Sequence, residues 1–264
     1  MIPLWLRFIF PPPSSLFVTA MCVICVASAS SGYSEIRGKH LQYSKFVNSQ
    51  KIARKEIKLA SRTGMLIWYI PAFLAGVASF ALFPDEGFRF FLVRSAIAIH
   101  FFKRIFEVLF VHKYSGGMLL DSVILVSLGY FISITTMIYA QHLTGGVPDP
   151  PLDLKYIGVV LFFVGIGGNF YHHFILSKLR EKGGDKGYKI PKGGLFDMII
   201  CPHYLFEILG FLGISFISQT VYAFSFTIGS TFYLMGRSYA TRKWYLSKFE
   251  NFPKEVRALI PYVF

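Results

Sequence analysis

Residues 31–63 read SGYSEIRGKHLQYSKFVNSQKIARKEIKLASRT, a polar stretch with eight Lys or Arg side chains held between two apolar runs, 14–30 and 64–83. A helical crossing of a bilayer takes about 17–25 mostly apolar residues. The two runs therefore read as the first two spans of a membrane protein, and the basic stretch as the loop that joins them. The first run follows the breaker Pro11-Pro12-Pro13, and the second closes at Pro84-Asp85-Glu86-Gly87.

Working outward, the same reading gives five more spans: 88–110, which carries several charges, 118–139, 156–176, 195–216, and a short one over about 220–235. Only Ser218 and Gln219 separate the last two, which predicts a tight antiparallel pair. Composition agrees. Of the 264 residues 54% are hydrophobic, which excludes a disordered chain. Charged residues make 16%, against about 25% in soluble domains. The three cysteines are too few for a disulfide scaffold, and Cys22 and Cys25, although spaced CxxC, sit in an apolar run and read as packing residues. The expected fold is all-α, a polytopic membrane protein with seven transmembrane helices.

The net charge of +13 raises nucleic acid as a partner, and its placement answers the question. With seven spans, twenty-one of the 27 Lys and Arg residues fall on one side, in 31–63, at Lys113, in 177–194 and in the tail from Arg237 onward. The other side has only Arg7 and Lys155, and the remaining four (Arg89, Arg94, Lys103 and Arg104) lie within the third span. Positive loops stay in the cytosol. The N-terminus is thus expected in the lumen and the C-terminus in the cytosol, and the charge sets topology with no nucleic acid involved. Ala27-Ser28-Ala29 resembles a signal-peptide cleavage site. Cleavage there would put the eight basic residues on the wrong side, so the first span is expected to be retained.

Ionisable groups at membrane depth are costly and suggest function. His100, Lys103, Arg104 and Glu107 share one face of the third span, where Lys103–Glu107 and Arg104–Glu107 pairing is the plain structural alternative. Asn169 and His173, followed by Arg180, share a broad face at the end of the fifth. The adjacent His172 and His173 lack a third ligand, so no metal is expected. Gly158, Gly165, Gly167 and Gly168 read as close helix contacts. Cys201-Pro202-His203-Tyr204-Leu205-Phe206-Glu207 places His203 and Tyr204 one turn from Glu207, and Pro202 is expected to open the helix there. A His203–Glu207 structural pair is the plain alternative. The basic and aromatic residues of 187–196 and 237–245 suit either a phosphate-rich, ring-bearing cofactor or anionic lipid headgroups.

The ordered motifs YKIPKGGLF (188–196), CPHYLFE (201–207), Trp244-Tyr245, FENFPK (249–254) and LIPYVF (259–264) resemble the C-terminal domain of the steroid 5α-reductase family. The resemblance is strongest over 155–264 and continues weakly through spans two and three. It implies seven helices, residence in the endoplasmic reticulum membrane, and NADPH-dependent reduction of a C=C bond conjugated to a carbonyl. It also implies an NADPH site lined by Asn169, Arg180, Tyr188, Glu207, Arg237 and Tyr245, with Arg104, Lys189, His203 and His173 at related positions. Residues 1–154 would then form the substrate side and 155–264 the cofactor side.

The steroid reductases carry a Glu before the Ile/Leu-Pro of span two and a Tyr after the His of span three; here Tyr69 and Phe101 stand there. The segment 100–112, HFFKRIFEVLFVH, instead resembles the very-long-chain enoyl-CoA reductases, whose Lys and Tyr are matched by Lys103 and Tyr204, although the ubiquitin-like extension usual in them is not expected here. On this resemblance a lipid substrate enters from the bilayer, Tyr204 is the first choice of proton donor and Tyr69 the second, and Lys103 assists. A membrane methyltransferase of the isoprenylcysteine type, binding S-adenosylmethionine, and a non-catalytic lipid-binding protein remain alternatives.

Overall fold

The computed structural model describes residues 7–46, 57–114, 116–181 and 188–264, except the side chains of 180 and 181. Arg180 and the basic residues Lys51, Arg54, Lys55, Lys182 and Lys186 therefore lie, wholly or by side chain, outside the described part.

Among the described residues the fold is all-α but for one two-stranded pairing. Helices α1 (Leu16–Ala27) and α2 (Ser30–Ile36) follow each other as one rod, followed by α3 (Ser61–Leu82), α4 (Phe88–Phe106), α5 (Leu120–His142), α6 (Lys155–Glu181), α7 (Pro202–Ser218) and α8 (Val221–Lys248). Strands β1 (Lys58–Ala60) and β2 (Gly117–Leu119) pair antiparallel, Leu59 opposite Met118, and tie the start of α3 to the start of α5. Among the described residues four helices are long and apolar enough to cross a membrane: Leu16–Ile36, Ser61–Leu82, Leu120–His142 and Lys155–Leu179. Helix α7 is apolar but has 17 residues. Large apolar side chains such as Leu74, Phe102, Leu125, Val160 and Phe163 are exposed on these helices, as a lipid-facing surface requires.

Two sequence expectations are corrected. The last helix does not end near residue 235: α8 continues to Lys248, so Arg237–Tyr245 is helix and not tail. Hydropathy falls after Met235, but no Gly or Pro interrupts Arg237–Lys248, and polarity alone does not stop a helix. Nor does the sixth run become helical at 195. Gly194–Asp197 forms a short 3-10 turn and α7 starts at Pro202. A first-turn proline lacks an N–H that would have no partner there anyway, so Pro202 begins the helix and does not open it.

Small residues set how closely the rods approach. The most extensive helix contact is α6 on α7. A Cβ on Gly158 would lie 2.6 Å from Ile217 N, one on Gly165 would overlap Gly210, and one on Gly168 would overlap the Phe206 ring. Gly167, expected to do the same, has open space around it. Along α8, a Cβ on Gly236 would collide with the backbone of Gly32, so α1 and α2 lie directly against it.

The α6–α8 end is tied by one clamp. Arg89 reaches Asp149 Oδ1 (3.0 Å), Asp153 Oδ1 (2.8 Å), Ile217 O (2.8 Å) and Gln219 Oε1 (2.8 Å). Gln219 is fully buried and closes α7 in the left-handed region, φ 51°. Its Oε1 also accepts from Leu154 N (2.9 Å), and its Nε2 donates to Phe8 O (2.6 Å) and Leu152 O (2.9 Å). Every polar site of that amide is used.

Candidate active site

Helix α4 supplies the centre of the site. Lys103 and Arg104 stand one turn before Glu107, where the α-helix gives way to a π-turn, Glu107–Val111, a local irregularity that recurs at functional sites. Glu107 is fully buried and is met by Lys103 Nζ at 2.9 Å, Arg104 Nη1 at 2.8 Å, His173 Nδ1 at 3.0 Å and, more distantly, His112 Nε2 at 4.0 Å. The pairing within α4 is thus present, but Lys103 is buried along with the carboxylate and Arg104 is mostly covered, so this is not a pair of side chains reaching for the interface.

The network runs in both directions from Glu107. Arg104 Nη2 donates to Tyr69 OH on α3 (2.6 Å), and its guanidinium lies 4.8 Å from the Tyr69 ring centre. Lys103 Nζ donates to Asn169 Oδ1 on α6. Asn169 Nδ2 donates to His203 O (2.6 Å) and faces Glu207 Oε2 on α7 at 3.4 Å. Four helices thereby converge, with two cations set against two carboxylates. His203 does not bond Glu207 among the described contacts, so the structural pair on α7 is absent; Asn169 takes its place. A narrow cavity lies among His100, Lys103, Asn169, Phe206 and Glu207.

Buried polar atoms normally have partners. Here His100 Nδ1, His203 Nδ1, Arg104 Nε and Trp68 Nε1 have none among the described residues. They sit on or beside residues of the network, where a bound molecule would satisfy them. Glu107, His112 and His173 also bring three possible metal-ligand atoms within 4.8 Å of one another. Lys103 and Arg104 already neutralise that carboxylate, which opposes a cation there.

Two further groups lie toward the C-terminal end of α8. The Tyr188 and Trp244 rings meet at 4.9 Å, Lys45 Nζ lies 4.8 Å from the Tyr245 ring centre, and Tyr245 OH donates to Lys189 O (3.4 Å). Tyr204 packs beside His203 (4.3 Å) and against a small core of Ile200, Cys201, Tyr245, Phe252, Val256 and Leu259. Arg237 is buried in a clasp. Its Nη1 donates to both oxygens of Glu35 (3.0 Å each) and to Leu41 O (3.3 Å), its Nη2 to Tyr43 O (3.3 Å), and its guanidinium lies 4.1 Å from the centres of the Tyr43 and Phe46 rings. Sequence reasoning missed Glu35. The one available signal was an acid among eight cations, shared with Glu56, and its partner is 202 residues away.

Residues 117–264 match the profile described as 3-oxo-5-alpha-steroid 4-dehydrogenase. The chain belongs to that family. Similar proteins include 3-oxo-5-alpha-steroid 4-dehydrogenase 2 of Macaca fascicularis, 26% identical over 260 residues and 95% of each chain. Very-long-chain enoyl-CoA reductase of Dictyostelium discoideum is 29% identical over 169 residues, 63% of this chain and 55% of the other. Steroid 5-alpha-reductase DET2 of Gossypium hirsutum is 39% identical over 108 residues, 40% of this chain and 42% of the other. Family membership and the four apolar helices make this a multi-pass membrane oxidoreductase. The same family was read from the ordered motifs of 188–264, and it takes the place of the methyltransferase alternative.

The residues present fit a dinucleotide. His203 Nδ1 is buried and unpartnered beside Asn169 and Glu207, which suits a polar carboxamide. The cation and aromatic rings of Lys45, Tyr188, Trp244 and Tyr245 suit phosphate and a base. Arg237 fits less directly, since a phosphate would have to displace Glu35 from it.

Proposed function

We propose that this family member is a membrane-embedded, NADPH-dependent reductase of a carbonyl-conjugated C=C bond in a lipid, a 3-oxo-Δ4 steroid or a trans-2-enoyl-CoA. The observation that carries the reading is the phenol of Tyr69 held on Arg104 inside a buried, charge-balanced network. The proposal includes seven spans, α1–α2 counting as one, a luminal N-terminus, a cytosolic C-terminus and residence in the endoplasmic reticulum. The close fit of α1 and α2 along α8 supports retention of the first span. Residues 155–264 carry most of the cofactor side and residues 1–154 the substrate side, with Lys103 and Arg104 reaching across.

NADPH, when bound, supplies the hydride. Asn169, His173, Arg180, Tyr188, Lys189, His203, Glu207, Arg237 and Tyr245 are the residues proposed to hold it, with Arg104. This chain's part is to receive the negative charge that builds on the carbonyl oxygen, which is where fixed donors accelerate such a reaction most. Tyr69 accepts from Arg104, so its own proton is free to be donated, and the guanidinium stabilises the phenolate left behind. Tyr204, whose hydroxyl has no hydrogen bond among the described residues, is the second candidate donor. Lys103 and Glu107 fix Asn169 and Arg104, and the second carboxylate, Glu207, balances the remaining charge. The substrate enters laterally between exposed apolar helix faces.

The test is NADPH oxidation by the purified protein, with a 3-oxo-Δ4 steroid, a long-chain trans-2-enoyl-CoA, and no substrate as parallel arms. Oxidation in one substrate arm alone is expected. Absence of NADPH binding would overturn the reading. Tyr69→Phe and Tyr204→Phe assign the donor: loss of one hydroxyl that matters should cut turnover about 100-fold with NADPH affinity unchanged, and an unchanged variant removes that residue from the chemistry.

A further inference from the structure

We infer that Tyr130, on α5, is a catalytic residue whose hydroxyl joins that of Tyr69 as a two-phenol donor to the carbonyl oxygen of the substrate. The inference rests on the reductase reading and deepens it. The Tyr130 ring lies 5.9 Å from that of Tyr69 and meets Phe101 edge-on at 5.5 Å and 76°. Tyr69 and Phe101 are themselves buried, and Tyr130 is half-buried with its ring packed against that core. Tyr69, which its ring adjoins, accepts a hydrogen bond from Arg104, so Tyr130 stands next to the same network.

Among the described residues, several nearby hydroxyls are committed to partners within the fold. Ser127 Oγ, one turn before it on α5, donates to Ile67 O (2.7 Å), and Thr136 Oγ1 to Ile132 O (2.7 Å). Ser122 Oγ accepts from Gln42 N (3.1 Å), and Tyr43 OH pairs with Tyr233 OH (3.1 Å). Tyr130 OH makes no hydrogen bond among the described residues. A phenylalanine would pack as well against Tyr69 and Phe101, so ring packing alone does not account for the hydroxyl. A free phenol beside a second phenol, itself held on a guanidinium, is a site for an oxygen with two lone pairs.

The step balances as follows. NADPH, when bound, would be the two-electron reductant, its hydride forming the new C–H bond at the β-carbon. The C=C electrons move to the carbonyl oxygen, which takes a proton from one phenol while the other hydrogen-bonds it. The phenolate rests in the field of Arg104 until solvent returns its proton. The enol becomes the saturated carbonyl by losing its O–H proton to solvent and gaining one at the α-carbon. The sum is one NADPH and one proton consumed per C=C bond reduced.

Three full-length proteins in detergent test this with the two probe substrates above: wild type, Tyr130→Phe, and Tyr130→Phe combined with Phe101→Tyr. NADPH affinity is measured beside turnover. Tyr130→Phe is expected to lower kcat about 100-fold while leaving NADPH affinity and thermal stability unchanged. Returning a phenol at the contacting ring, Phe101→Tyr, is expected to recover at least a tenfold part of it, which a packing role would not do. Wild-type turnover with an equally active Tyr130→Phe overturns the two-phenol donor alone. A wild type that reduces neither probe and binds no NADPH overturns the reductase reading, and the donor with it.

Discussion

Two arginines of α4 are buried with carboxylates, and they live in opposite circumstances. Arg89 meets Asp149, Asp153, Gln219 and a backbone carbonyl, the two acids are partly exposed, and every polar site of the Gln219 amide is filled. Arg104 meets the fully buried Glu107, the buried Tyr69 and His173 and keeps an unpartnered Nε, and in the same network His100 and His203 each keep an unpartnered ring nitrogen. The first arrangement is complete as it stands. The second is a set of charges and donors held in place for something absent. A finished polar cluster holds helices together; an unfinished one, costly to bury, is retained for a ligand.

The largest effect that separates the two comes from Glu107→Gln. The substitution keeps shape but removes the counter-charge of Lys103 and Arg104, and breaking a buried pair from one side costs about 3–5 kcal/mol. Thermal unfolding in detergent is expected to drop by about 10 °C, and NADPH turnover to fall below detection. A melting point within about 2 °C of wild type, with turnover kept, would show that the network is as dispensable as a surface pair.

Gln219→Ala strikes the other cluster. It strips Arg89, Leu154 N, Phe8 O and Leu152 O of a shared partner and places alanine at φ 51°. Each buried group left unmade costs about 1–3 kcal/mol before relaxation. Melting is expected to fall by about 5 °C while kcat in the remaining folded protein stays within about twofold. Loss of kcat in the folded fraction would instead couple the clamp to the chemistry and erase the distinction.

The sequence was most legible where chemistry and hydropathy speak locally. Apolar runs gave the helices, the spacing of Lys103, Arg104 and Glu107 gave the α4 pairing, and the glycines of α6 gave all but one of its close contacts. It was least legible where partners are far apart in the chain. Glu35 meets Arg237 across 202 residues, and Tyr130 meets Tyr69 only because α5 packs on α3. The extent of α8 was missed because hydropathy reports depth in a membrane, while helicity continues into water wherever no breaker intervenes. The plain alternative on α7, a His203–Glu207 pair one turn apart, is not what forms; an amide from another helix, Asn169, faces Glu207 instead.

The smallest effect is the pH response of the clamp. Burial alone would raise the Asp153 carboxyl, but hydrogen bonds from the Lys155 side chain and backbone and from Arg89 outweigh it and hold the group at about 2. The Arg89 hydrogen bond likewise holds Asp149 below the usual carboxylate range. An acid whose folded pKa is depressed stabilises the fold above its unfolded pKa, near 3.9, and that contribution is lost as pH falls through the folded value. The melting point of wild type should therefore decline between about pH 4 and about pH 2 relative to Asp153→Asn, and the two should converge at the acid end. Both carboxylates are partly exposed, so solvent screens them and the difference at neutral pH should be a few degrees at most, shrinking in high salt. A salt-insensitive difference would mean that Asp153 acts through its hydrogen bonds to α6 and not through its charge on Arg89.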